Sequence, residues 1–142
     1  MSGEGVPVVG SILIVEDNAV NLLIVRTILR KHGHEPIVAI DGVQGAEMAR
    51  EHRPALILMD IQMPRMDGVS AAREIWSDPE MRGVPIIALT ANATDRMRET
   101  CLTEGFERVM IKPIDIAELA RIVNGFVRPA AETGPELRAK RA

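Results

Sequence analysis

Residues 55–60 read Ala-Leu-Ile-Leu-Met-Asp, five apolar residues in succession closed by a carboxylate at Asp60. A run this short has the length of a strand, and the absence of any polar alternation means that both of its faces are covered. Strands of that kind belong to parallel sheets flanked by helices. In such sheets ligands gather beyond the carboxyl ends of the strands, so the polar residues that close the runs are where a site is to be sought.

Similar runs lie on either side, at Ile12–Val15, Ile37–Ile40, Val84–Leu89 and Arg108–Ile111, and the first and third of these are also apolar throughout. Stretches of helical period separate them. Val20, Leu23, Ile24, Thr27 and Ile28 follow the i, i+3, i+4, i+7 spacing behind Asn18, a residue suited to cap a helix. Val69, Ala72, Ile75 and Trp76 repeat the pattern after Asp67 and Gly68. Leu119, Ile122, Val123 and Phe126 do so again behind Asp115 and Glu118, spaced as a capping box. The stretch from Thr94 to Glu104 is the most polar, with Met97, Cys101 and Leu102 as its apolar anchors, and is expected to be the least firmly held helix. Five strands alternating with five helices through short turns imply right-handed crossovers, and hence a doubly wound α/β domain with a five-stranded parallel sheet.

The whole chain has 142 residues, room for one domain, expected over residues 11–128 between flexible ends at 1–10 and 129–142 that lack a sustained apolar period. Its net charge is −3, and Arg128–Ala142 holds four basic and two acidic residues, so the rest carries −5. With that balance and almost no aromatic side chains, binding to nucleic acid by this chain alone is not expected. One cysteine, Cys101, cannot form an internal disulfide; Met1–Gly10 has neither the basic start nor the apolar run of a secretory signal, so none is expected, and no apolar run reaches membrane length. The expectation is a cytoplasmic protein without membrane contact. His32, His34 and His52 have no metal-ligand spacing with cysteine and are read as surface or capping residues. Gly42-Val43-Gln44-Gly45 lacks the Gly-Lys-Ser/Thr ending of a phosphate-binding loop.

The first run ends in Glu16-Asp17, the third in Asp60, the fourth in Thr90 and the fifth in Lys112-Pro113. In a parallel sheet these side chains converge on one edge. Three carboxylates there repel one another and raise one another's pKa unless positive charge sits among them, a role that suits Mg²⁺ with its preference for oxygen ligands. Lys112 adds a fixed charge and Thr90 a hydroxyl donor. A nucleophilic carboxylate beside a receptor for a tetrahedral anion is what phosphoryl transfer through an acyl phosphate requires. Each residue alone has a blander reading: an acidic helix start, a strand-end threonine, a solvated lysine. Their joint occurrence at four strand ends favours the functional one.

The segments Ile12–Asn18 (ILIVEDN), Leu56–Gly68 (LILMDIQMPRMDG), Pro85–Asn92 (PIIALTAN) and Ile111-Lys112-Pro113 resemble the response regulator receiver family across residues 11–127. The resemblance implies a flavodoxin-like strand order 2-1-3-4-5. It implies phosphorylation of Asp60, with Mg²⁺ held by Asp17, Asp60 and the backbone carbonyl of Gln62, and by Glu16 through a water. Lys112, Thr90 and the amide of Ala91 would contact the phosphoryl group, and the Lys112–Pro113 bond would be cis. Gln62 and Asn92 fall at positions whose side chains influence dephosphorylation in the family. Val109 departs from the pattern, which has an aromatic residue there as part of the switch. The implied donor is a phosphohistidine of a histidine kinase or histidine phosphotransfer protein, and the implied output is a protein target not identified by the sequence. The chain would act as a monomer or weak dimer, either as a free-standing regulator or as the receiver of a hybrid kinase. A Mg²⁺-dependent phosphatase using an aspartyl phosphate is the alternative. It is disfavoured by Gln62, which stands where such enzymes carry a second Asp as general acid, and by the lack of a cap domain. A receiver-like module that only binds a partner is disfavoured by the intact acidic pair, Asp60, Thr90 and Lys112.

Overall fold

The five apolar runs form the strands of a single sheet in the computed structural model, which describes residues 8–63, 66–92 and 94–129. In chain order the elements are β1 (Ile12–Val15), α1 (Ala19–Lys31), β2 (Ile37–Ala39), α2 (Gly42–His52), β3 (Leu56–Asp60), α3 (Gly68–Ser77), β4 (Ile86–Thr90), α4 (Asp95–Glu104), β5 (Arg108–Ile111) and α5 (Ile116–Phe126). All pairings are parallel and the strand order is β2-β1-β3-β4-β5. The order reverses between β1 and β3, which places the switch point at the carboxyl ends of those two strands.

Alternation along the strands divides the core into two layers, one on each side of the sheet. Leu13, Val15, Ile57, Met59, Ile86 and Ala88 face α2 and α3, where Ala46, Ala49, Ala71, Ala72 and Ile75 meet them. Ile12, Ile14, Leu56, Leu58, Ile87 and Leu89 face α1 and α5, against Val25, Ile28, Leu29, Leu119, Ile122, Val123 and Phe126. Both faces of β1, β3 and β4 are thereby buried, the physical reason for their unbroken apolar sequences.

Helix starts follow local chemistry. Asn18, Asp41, Asp67, Thr94 and Asp115 each accept a hydrogen bond from the backbone N–H three residues ahead, satisfying a donor that the first turn leaves unpaired. At the other end of α4, Gly105 has φ 120°, a conformation that favours glycine, and its N–H bonds to Cys101 and Leu102 carbonyls.

Three expectations need correction. The buried face of α1 is Val25, Ile28 and Leu29, whereas Val20, Leu23 and Ile24 point to solvent at 65%, 57% and 44% exposure. Leu102 is exposed, leaving Cys101 as the one buried residue of α4, with Met97 partly buried. His34 is buried, its Nε2 2.6 Å from Asn124 Oδ1 on α5, while His32 caps α1 as expected and its Nδ1 meets Ile28 O at 2.9 Å. The ends expected to be flexible lie mostly outside the described residues, at 1–7 and 130–142. Within the described residues, Val8 N–H donates to Phe126 O and Arg128 N–H to Val8 O. Pro129 is buried. No helix among the described residues is long and apolar enough to cross a membrane.

Candidate functional site

Register brings the strand-end residues to one level. Val15 pairs with Met59, and Asp60 with Leu89, so Glu16, one residue beyond β1, stands beside Asp60. Thr90 pairs with Ile111, and Lys112 N–H donates to Thr90 O at 2.8 Å, which carries the lysine one step past β5 to face the same cleft. Asp60 and Thr90 are the final residues of their strands, not the first residues after them.

The start of α3 fits tightly beneath the loop after Asp60. Gly68 N–H donates to Ile61 O, and a Cβ at Gly68 would overlap the Asp60 carbonyl oxygen and come within 2.8 Å of Ile61 Cα. Glycine is required here by space, and a side chain would push α3 away from the residue on which the site is centred.

Carboxylate oxygens of Glu16, Asp17 and Asp60 lie within 4.8 Å of one another. Glu16 and Asp60 are buried and Asp17 is exposed, so the cluster opens to solvent on one side. Lys112 Nζ sits 2.7 Å from Glu16 Oε1 and 3.4 Å from Asp60 Oδ1. Glu16 Oε1 is inaccessible to solvent and, apart from the lysine charge, has no hydrogen bond of good geometry. A buried carboxylate oxygen with spare lone pairs is a costly feature unless a cation completes it.

The Asp60 carboxyl is pushed up to about 6. Burial is the main cause, followed by the hydrogen bond and charge of Glu16; Lys112 and the Gln62 N–H, which donates to Asp60 Oδ1 at 3.1 Å, pull in the other direction. A hard divalent cation supplies what this donor set lacks: charge compensation for three carboxylates whose oxygens already converge.

The donors across the cleft are engaged internally. Thr90 Oγ1 donates to Asn92 O at 3.4 Å and accepts from Asn92 N–H at 3.0 Å, and Ala91 N–H donates to Gln62 Oε1 at 3.3 Å. The Lys112–Pro113 peptide is cis. Val109, paired with Ala88, packs partly buried against the core on the α3 side of the sheet. Every residue that the sequence offered for the phosphoryl and metal site thus lies at or beside the carboxyl edge, while Val109 stands inside β5. Sequence reading missed the side chain of Gln62 as a bridge and the outward apolar face of α1. Ile24 of that face and the buried Val25 line a cavity of about 80 Å³ with Glu16, Asn21, Lys112, Pro113 and Ile114 beside the site.

The response regulator receiver domain family model matches residues 12–124. The polar-differentiation response regulator DivK of Brucella anthropi is 36% identical over 120 residues, covering 84% of this chain and 98% of that protein. Among solved structures, the receiver domain of a Pseudomonas aeruginosa sensor histidine kinase, with magnesium coordinated in its active site cleft, is 44% identical with a TM-score of 0.75, covering 82% of this chain and 95% of that one. A further likeness, with TM-score 0.76 and 27% identity over 92% of this chain and 94% of the other, is to the co-crystal structure of a Saccharomyces cerevisiae histidine phosphotransfer signalling protein with the receiver domain of its downstream response regulator.

Proposed function

Because this chain belongs to the response regulator receiver domain family of two-component signalling, we propose that Asp60 is its phosphoacceptor and that a phosphohistidine on a histidine kinase or histidine phosphotransfer protein is the donor. The observation that carries this reading is the buried Asp60 carboxylate, flanked by Glu16 and by the Lys112 ammonium at 3.4 Å, at the switch point of the sheet.

In the reaction a carboxylate oxygen of Asp60 attacks phosphorus in line, the new O–P bond forms as the N–P bond to the donor imidazole breaks, and the imidazole leaves with the bonding pair. Lys112 is close enough to follow charge from Asp60 onto the phosphoryl oxygens, and Thr90 Oγ1 and Ala91 N–H are the neutral donors on the opposite wall. Asp17, Asp60 and the Gln62 carbonyl would hold Mg²⁺, with Glu16 acting through a water. When bound, the ion offsets the negative charge of carboxylates and phosphoryl group together.

A protein donor suits the surroundings better than a small substrate. The outer face of α1 presents Val20, Leu23 and Ile24 to solvent, and Ile24 lines a cavity with Glu16 and Lys112 of the site, so an exposed apolar surface adjoins the cleft. The module switches protein contacts and turns over no small molecule; we place it in the cytoplasm, where histidine kinases present their phosphoryl groups.

Intact-mass measurement after incubation with acetyl phosphate and Mg²⁺ tests the assignment. The unaltered chain should gain one phosphoryl group, and neither Asp60→Asn nor the chelator-treated protein should gain any. A full adduct on Asp60→Asn would place the acceptor elsewhere.

A further inference from the structure

Gln62 makes two contacts that span the cleft. Its backbone N–H donates to Asp60 Oδ1 at 3.1 Å, and its side-chain Oε1 accepts from Ala91 N–H at 3.3 Å on the opposite wall. On the proposed reading of Asp60, the Ala91 N–H is also a donor to the phosphoryl group that Asp60 would carry. A single N–H cannot serve two acceptors at full strength, so the carboxamide and a phosphoryl oxygen compete for it.

We infer that the Gln62 carboxamide oxygen is a placeholder for a phosphoryl oxygen, occupying Ala91 N–H in the resting protein and opposing the phosphorylated arrangement until it is displaced. The inference rests on the reading of Asp60 as phosphoacceptor. Gln62 is exposed, so its side chain can swing into solvent without opening the core. Displacement exchanges a neutral acceptor for an anionic one, which forms the stronger bond, yet the neutral bond must still be given up. Thr90 Oγ1 is also engaged at rest, but with Asn92 of its own loop. Gln62 differs in reaching from the loop after β3 to the loop after β4, so it ties the nucleophile's side of the cleft to the segment leading into α4. Its release removes that tie, while Ile61 N–H stays bonded to Leu89 O.

Two variants of the full chain test this with Mg²⁺ present. Gln62→Met keeps length and bulk without the acceptor, and Gln62→Asn keeps the carboxamide but is one methylene too short. Without a phosphoryl mimic, the Ala91 amide should exchange faster and shift upfield in both. In calorimetric titrations both should bind beryllofluoride roughly 2–10-fold tighter than the unaltered chain, the worth of one neutral hydrogen bond. In the saturated state the Ala91 resonances of all three proteins should coincide. Unchanged or weaker binding, a gain in one variant only, or an unmoved Ala91 amide overturns the placeholder role while leaving Asp60 as the acceptor. If none of the three binds beryllofluoride, the reading of Asp60 fails as well.

Discussion

At the scale of single residues, Asp60 sits at a cost. Its carboxyl is raised to about 6 from 3.8, chiefly by burial and then by Glu16, so between these values the folded chain binds more protons than the unfolded one. Stability of the metal-free chain therefore falls as pH rises through that window, and the penalty is fully present above it. Asp60→Asn removes the charge, and in chelator at pH 7.5 it should stabilise the fold by about 1–3 kcal/mol. The gain should shrink toward zero as the pH is lowered to 4. Thermal melts of both proteins across this range would detect it; a gain that grew on acidification would show that Lys112 outweighs burial and Glu16. The identities of Glu16, Asp17, Asp60, Thr90 and Lys112 were legible because each closes an apolar run, a local signal. Their pairings were not, since Lys112 reaches Glu16 across most of the chain.

Elements differ in how well their sequences define their packing. α5 has one apolar stripe, Leu119, Ile122, Val123 and Phe126, and that stripe is the buried face. α1 carries apolar residues on both sides; of the expected stripe Val20, Leu23, Ile24, Thr27 and Ile28 only Ile28 is buried, because helical spacing alone fits Val20, Leu23 and Ile24 as well as Val25, Ile28 and Leu29. α4 buries Cys101 alone, while α1, α2, α3 and α5 each bury three or more residues. With so few apolar contacts, α4 should open locally at the lowest free energy of the five helices. Amide exchange followed by mass spectrometry should show residues 96–104 exchanging fastest among the helices, and beryllofluoride should alter their rates more than those around Val109. Equal protection of α4 and α5 would contradict this. Val109 is β-branched and half-buried, with few rotamers to exchange, so the loop after Thr90 and α4 are the parts free to respond.

For the whole molecule, a metal held by the carboxylate cluster would be linked to folding, because the cluster exists only when β1 and β3 are paired. Mg²⁺ at one hundred times its dissociation constant should add about 2.7 kcal/mol of stability, seen as a rise of several degrees in Tm. Asp17→Ala should lose most of that rise while leaving the metal-free melt nearly unchanged, because Asp17 is exposed. An equal Mg²⁺ response in the variant would mean that the ion binds elsewhere. The alternation of runs and the residues that close them were enough, by themselves, to define the class of sheet and the edge on which Glu16, Asp17, Asp60 and Lys112 converge, since strand period and capping act over a few residues. Tertiary structure alone decided which face of α1 is buried, that His34 meets Asn124, and that Gln62 reaches Ala91. These contacts join residues 29 to 90 positions apart, where no local period carries information and only the packing of the two layers selects one partner among many.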